Sequence, residues 1–274
     1  IIGCVTYTFF TIVLPTQYGE GASMVLIVNE FLFGCFLVVN LLYNYLMSIF
    51  TPPGQPPEYT GTASGSNVDQ ELGEQPVPPK QCPRCQGLKP PRTHHCSVCK
   101  RCVLKMDHHC PWINNCVGWN NYRYFCLFML FLAMSCLFVV IISFPIFMQA
   151  MFPNGRRRQG SPRHLGFWDA QCVALSGLMS LCILLALCLL GGFHMYLVLT
   201  NQTTIEFHSN FGNKDLAKRR GEVYRNPYDL GRLRNFQQVF GPSRFSRFLW
   251  LMPYIAKRPT GDGMSFPNMS QLKA

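Results

Sequence analysis

The chain has 274 residues, 49% of them hydrophobic, with 24 Lys and Arg against 13 Asp and Glu and a net charge of +11. Its apolar residues fall in long unbroken blocks rather than at strand or amphipathic-helix spacing, which argues against an ordinary soluble domain. The 14 cysteines do not form a secreted disulfide framework: seven crowd one polar segment beside paired histidines. The others (Cys4, Cys35, Cys126, Cys136, Cys172, Cys182, Cys188) lie in or next to apolar blocks, as small buried hydrophobes do.

In chain order, residues 1–14 are apolar but short and read as the end of a first membrane span. Residues 24–50, 122–150 and 172–200 are each long enough to cross the roughly 30 Å hydrocarbon layer, for which about 20 residues suffice. Glu30 and Arg123 are the charged residues at their edges. The prediction is an α-helical integral membrane protein with four transmembrane helices, the first one truncated, and a zinc-stabilised cysteine-rich domain between the second and third. Residues 1–50 then hold the first two spans and residues 51–80 a flexible linker marked by Pro52, Pro53, Pro56, Pro57, Pro76, Pro78 and Pro79. Residues 81–121 are the cysteine-rich domain, residues 122–200 the last two spans with the loop between them, and residues 201–274 a tail. No internal repeat of solenoid length is present.

Basic residues concentrate in the cysteine-rich segment and the tail, while residues 15–23 carry none. Short basic loops stay on the cytoplasmic side, so the cysteine-rich domain and the C-terminus are expected in the cytosol. Arg156, Arg157, Arg158 and Arg163 oppose that assignment, since their loop is then lumenal, but the tail outweighs them. The excess of positive charge suits a cytosolic face meeting anionic lipid. Nucleic acid is not expected as a partner, because the basic residues are not interleaved with aromatics on a soluble surface.

Residues 82–116 contain Cys82, Cys85, Cys96, Cys99, Cys102, Cys110 and Cys116 together with His94, His95, His108 and His109. C-x2-C pairs place two thiolates on one ion across a tight turn, so two zinc sites are expected. Two closed tetrahedral sites take eight ligands, which leaves one cysteine and two histidines over. A spare thiol beside a spare imidazole is a nucleophile with its base. If His109 binds metal, Cys110 sits next to a cation without ligating it, which favours the thiolate. His108 can then take the thiol proton and Asp107 can fix the imidazole tautomer. Of two rival readings, a nucleic-acid-binding zinc module does not suit knuckles flanked by membrane spans and without a spaced recognition helix, and an inactive membrane scaffold has no use for Cys110 with Asp107 and His108.

Asp107-His108-His109-Cys110 in this cysteine-rich setting resembles the DHHC protein S-acyltransferases (palmitoyltransferases). The likeness extends over the order of spans, residues 82–116, Thr203-Thr204-Ile205-Glu206 and the tail around Asn235-Phe236 to Gly241. It implies that Cys82, Cys85, His95 and Cys102 bind one Zn2+, and Cys96, Cys99, His109 and Cys116 a second. It implies that Cys110, His108 and Asp107 are catalytic, with an acyl group passing from palmitoyl-CoA or a related long-chain acyl-CoA through a thioester on Cys110 to protein cysteines near the cytosolic membrane face. Trp112 and Phe125 resemble wall residues at the mouth of the acyl site, and Ser135 is placed by helix rise near the far end of a long chain. Thr203, Thr204, Glu206 and Asn235 are expected to support the site. Lys100, Arg101 and Arg123 are candidates for the phosphates of the acyl donor. A Golgi or ER membrane is expected before the plasma membrane. One departure stands out: Thr51-Pro52-Pro53-Gly54 occupies the place where the family carries Asp-Pro-Gly.

Overall fold

The computed structural model describes residues 1–17, 23–57, 80–151, 165–241 and 261–269. Most of the predicted linker, and the loop carrying Arg156, Arg157, Arg158 and Arg163, lie outside those residues. The chain divides into two compact units, one of Ile1–Asn44 with Cys126–His194, the other of Tyr45–Phe125 with Met195–Ala274.

The first unit is helical. Helix α1 (Ile2–Thr8) runs through a π-helical turn (Phe9–Val13) into α2 (Leu14–Gln17). Helix α3 spans Met24–Phe50, α4 Tyr122–Met151 and α5 Phe167–Leu199. Among the described residues three helices are thus long and apolar enough to cross a membrane, and a shorter apolar helix, Ile2–Thr16, precedes them. Their surfaces fit that reading: only 17% of the most apolar window of α5 is buried, and Leu185 and Leu189 face outward. In water so much exposed apolar area is not stable; in lipid it is the solvated face, and helices satisfy their own backbone there. Phe9, Val13, Leu14, Val139, Ile146 and Val173 form this unit's core. Gly34 lets the Phe10 ring lie close against α3, where an added Cβ would come within 3.1 Å of the ring.

The second unit carries the cysteine-rich segment and the tail. Two short antiparallel hairpins form it: β1 (His94–Cys96) with β2 (Arg101–Val103), and β3 (His108–Cys110) with β4 (Asn115–Val117). Hairpins this small bury too little to stand alone, and they are tied in part by capping a helix end. Asn115 and Asn121 provide such caps. Asn115 Nδ2 donates to the carbonyls of Ile49 (3.0 Å) and Thr51 (3.1 Å), and Asn121 Nδ2 to those of Cys116 (2.8 Å) and Ser48 (3.3 Å). Those of Ser48, Ile49 and Thr51 lie at and just past the end of α3, where the helix has no partners of its own, and that of Cys116 lies on β4. The Pro-Pro-Gly loop that follows is clamped through its backbone: Asn120 N donates to Pro53 O and Leu104 N to Gly54 O. Gly54 holds φ +100, open to glycine alone. The Thr51 position is therefore fixed by its main chain, and no acidic side chain is needed to seat the loop.

After α5 the chain turns at Asn201 into α6 (Thr204–Arg219), and α7 spans Arg232–Phe240. Asn235 is buried and caps α5 through Leu199 O (2.8 Å) while accepting from Leu230 N.

Candidate active site and metal centres

Strand geometry sorts the ligands. Successive residues of a strand point to opposite faces, so His95 and Cys96 on β1 serve different clusters. The register sets His95 across from Cys102 and His109 across from Cys116. Cys82, Cys85, His95 and Cys102 form one group with donor atoms all within 4.8 Å, and Cys96, Cys99, His109 and Cys116 form the other. In the first, Cys82 Sγ lies 3.7 Å from His95 Nδ1 and Cys85 Sγ 3.3 Å from Cys102 Sγ. In the second, His109 Nδ1 lies 3.3, 3.6 and 3.8 Å from the sulfurs of Cys99, Cys116 and Cys96. A tetrahedral zinc with Zn–S of about 2.3 Å and Zn–N of about 2.0 Å needs edges of roughly 3.5–3.8 Å. Both donor sets fit a metal ion on geometry and on chemistry, three thiols and one imidazole each.

The same alternation frees Cys110. On β3, His109 turns toward the second ligand group, and His108 and Cys110 share the other face. Cys110 is buried and stands at the N-cap of a 3-10 turn, Pro111–Ile113, which begins with proline. Burial pushes the thiol up, but the hydrogen bond to His108, the Trp112 and Ile113 backbone N–H groups and the His108 charge together hold it below its ordinary value. The start of a helical turn and a cationic imidazole both favour a thiolate. His108 is the complement. Burial lowers it, yet the hydrogen bonds to Asp107 and Cys110 and their charges raise it from 6.5 to about 9. The arrangement favours transfer of the thiol proton to the imidazole.

Asp107 is buried and fully engaged. Its Oδ2 meets His108 Nδ1 at 2.7 Å and accepts from Thr204 Oγ1 at 2.8 Å, while Oδ1 accepts from Thr204 N at 2.9 Å. Thr204 is the first residue of α6, so the carboxylate also sits at a helix N-terminus, where anions are stabilised. Thr203 is the N-cap of that helix and closes a capping box with Glu206. The tetrapeptide therefore has two jobs at once, helix capping through Thr203 and Glu206 and carboxylate holding through Thr204. Asn235 acts farther off, at the end of α5.

The aromatic candidates separate. Phe125, on the first turn of α4, is buried and meets His108 edge-on, with ring centroids 5.3 Å apart. Trp112 is 83% exposed, and its carbonyl accepts from Tyr45 Oη. Ser135 lies in the first unit, part-buried, with its hydroxyl on Phe131 O at 2.7 Å. Of the basic candidates Lys100 is exposed, Arg101 is half-buried, and Arg123 is buried with Nη1 toward Phe240 O.

Two features escape a reading by motif. Arg92, in a stretch that looks like a plain basic loop, is buried and makes a bidentate pair with Glu206 at 2.7 Å through both Nε and Nη2. And the ligand-bearing hairpin is duplicated: His94-His95-Cys96 recurs as His108-His109-Cys110, with the same partner valines and cysteines in register. The duplication is visible in the sequence, but it is far shorter than a solenoid repeat.

A family model described as DHHC palmitoyltransferase matches residues 75–210. Probable protein S-acyltransferase 16 of Arabidopsis thaliana is 35% identical over 84% of this chain and 77% of its own length. The chain belongs to the DHHC palmitoyltransferase family. Probable protein S-acyltransferase 12 of the same plant is 33% identical, over 98% of this chain and 88% of its own. Palmitoyltransferase ZDHHC2 of Mus musculus is 36% identical over 77% of this chain and 49% of its own length. The family match spans both hairpins, α4, α5 and the start of α6, so the geometry above lies almost wholly inside it.

Proposed function

We propose that this DHHC-family chain is a protein-cysteine S-palmitoyltransferase with Cys110 as its nucleophile. The observation that carries the reading is the thiol of Cys110 sharing a strand face with His108 while every neighbouring cysteine is grouped with metal-ligand partners.

Two zinc ions, one in each Cys3His set, supply folding free energy to hairpins too small to stand alone. The chemistry belongs to the triad. The Cys110 thiolate attacks the acyl-CoA carbonyl and forms the new C–S bond. As the tetrahedral adduct collapses, the C–S bond to CoA breaks and the departing thiolate takes the proton from His108. Cys110 now carries the acyl thioester, and His108 is neutral. In the second half the incoming cysteine gives its proton to His108, its sulfur attacks the same carbonyl, and Cys110 leaves as thiolate paired with imidazolium. Asp107 keeps the imidazole in one tautomer and stabilises its charged form. Trp112 N–H and Ile113 N–H, beside the sulfur, hold the negative charge each time it returns there.

Substrates are acyl-CoA and protein cysteines close to the membrane. Cys110 precedes α4 by a few residues, so it lies at the bilayer surface, where an acyl donor carries its chain in lipid and its head in water. Four spans, with the cysteine-rich domain and the tail in the cytosol, complete the topology, and an endomembrane such as Golgi or ER is the expected home. The test is incorporation of an alkyne fatty acid from its CoA ester into purified protein. Label should be released by hydroxylamine and absent in Cys110→Ser with two zincs retained; normal labelling of that variant would assign the nucleophile elsewhere.

A further inference from the structure

Behind Asp107 lies a buried group that the mechanism does not use. Arg92, Lys105 and Asn201 all hold left-handed φ angles of 65°, 41° and 47°, a conformation that side chains other than glycine adopt only under constraint from their surroundings. All three meet at one atom. Asn201 Oδ1 accepts from Arg92 Nη1 at 3.1 Å and from Lys105 Nζ at 3.2 Å, and Arg92 Nη2 also reaches Asn201 O at 2.9 Å. With its pair to Glu206, Arg92 grips α6 on both sides of Thr204: Asn201 just before the helix and Glu206 in its first turn. Thr204 is the residue that holds Asp107.

Arg92 and Lys105 stand close together with water excluded, so burial and the Arg92 charge hold the Lys105 ammonium well below its ordinary range. Glu206 and Asp107 offset part of that effect, and aromatic faces offset more. Tyr228 lies 4.4 Å and Phe266 5.0 Å from the Arg92 guanidinium, and Trp119 lies 5.5 Å and Phe266 5.8 Å from Lys105 Nζ. Among these rings Phe266 alone faces both basic groups. It stands on the tail, past the family-matched residues, in a segment with a built conformation. Asp262 Oδ1 accepts from Met264 N and Ser265 N, Met269 N donates to Pro227 O, and Gly263, at φ +75, lies so close on Trp119 that a Cβ would come within 2.7 Å of the indole.

We propose that Phe266 is a positioning residue for the acyl transfer: its ring closes the cage over Arg92 and Lys105, whose bonds to Asn201 and Glu206 fix the start of α6 and so the Asp107 carboxylate. The tail segment thereby belongs to the active-site machinery although it touches none of the reacting atoms. This rests on the acyl-transfer reading.

Single-turnover formation of the hydroxylamine-labile acyl-enzyme, measured on the full chain across a range of palmitoyl-CoA concentrations, tests it. Phe266→Ala should lower the maximal rate about tenfold or more, as small displacements of catalytic groups do, with the half-saturating palmitoyl-CoA concentration and the zinc content unchanged. Phe266→Tyr, which keeps the ring face, should restore the rate. Combined with Thr204→Val, which removes the hydroxyl bond to Asp107 and leaves the backbone one, Phe266→Ala should lower the rate by less than the product of the two single losses, because residues acting through one contact are not additive. Should Phe266→Ala fail to fold, Phe266→Leu keeps apolar volume without a ring and is read the same way. An unchanged rate in the ring-less variant overturns the proposal, as does a full multiplicative loss on top of Thr204→Val, which marks a merely structural role. A wild-type chain that forms no acyl-enzyme overturns the acyl-transfer reading and this inference with it.

Discussion

Asp107→Asn isolates the electrostatic core of the site. The carboxylate touches His108 Nδ1 at 2.7 Å and is the first cause that raises the imidazole, against burial, from 6.5 to about 9. That rise corresponds to about 3 kcal/mol in favour of the imidazolium, at about 1.4 kcal/mol for each tenfold. A pKa raised in the fold stabilises the protonated form: the gain is complete below pH 6.5 and is lost as the pH climbs through about 9. Between those limits the wild-type imidazole is held protonated, beside a Cys110 thiol that is held below its ordinary value. Asparagine keeps the shape and, through its oxygen, the bond from Thr204 N, but it puts an NH2 where Oδ2 accepted and removes the charge, so His108 should return toward its ordinary range and be neutral at pH 7.5. The Cys110 thiolate then loses its counter-charge, and acylation should fall by roughly a hundredfold at that pH, the scale of a lost general acid–base partner. The assay is the pH profile of acyl-enzyme formation, with iodoacetamide alkylation of Cys110 as a second probe. The wild type should stay active up to about pH 9, while the variant's alkylation should need markedly higher pH. Superimposable profiles would refute the ion-pair argument.

Three further outcomes follow from the same geometry. Purified protein should hold two zinc ions per chain, and His109→Ala should lose metal and fold together while His108→Ala keeps both ions; equal zinc loss in the two, read by metal analysis, would break the ligand assignment. Thr204→Val removes one of the two bonds from Thr204 to Asp107 and should lower the acylation rate by a fewfold to about tenfold with zinc content intact; an unchanged rate would show the backbone N–H alone to suffice. Ser135 lies ten residues beyond Phe125 on one helix, about 15 Å along its axis, within the roughly 20 Å reach of a 16-carbon chain as set against a hydrocarbon layer of about 30 Å. Ser135→Phe should shift preference toward shorter acyl-CoAs in a chain-length competition, and an unchanged profile would place that residue away from the acyl chain.

Much of the site is legible in the sequence because ligation is a matter of spacing. Once the resemblance gives the ligand sets, the hairpins need only bring His95 to Cys102 and His109 to Cys116, and the register does so. The long helices are legible because lipid demands length and apolarity, and little else. What hides is whatever depends on contacts between distant residues. Arg92 looks like one more basic loop residue until it is seen against Glu206, and Phe266 has no local signature at all. Asn201 illustrates the point from the other side. As Asn201-Gln202-Thr203 it matches a glycosylation pattern and invites use as a reporter of topology, but its side chain is buried between Arg92, Lys105, Tyr228 and Gln238. A glycan there is incompatible with this packing. Asn268 is the other such position, and its sequon ends at Ser270, outside the described residues.

The duplicated hairpin explains why a free thiol arises in the middle of a metal-binding segment. In the first copy Cys96 is followed three positions later by Cys99, and the two form a knuckle whose backbone turn brings Cys99 N to Cys96 Sγ at 3.3 Å. In the second copy Cys110 holds the place of Cys96, but Ile113 stands where the second thiol would be, fully buried in the 3-10 turn. A lone thiol cannot close a tetrahedral site, so Cys110 is left to its other neighbours. Those differ between the copies in one decisive respect. Thr93 precedes the first pair of histidines and Asp107 the second, so only His108 has a carboxylate at its back to hold it charged. The same local backbone thus sets a cysteine in a metal-ligand group in one copy and beside a carboxylate-backed histidine in the other, and at those places the copies differ by isoleucine for a knuckle cysteine and aspartate for threonine.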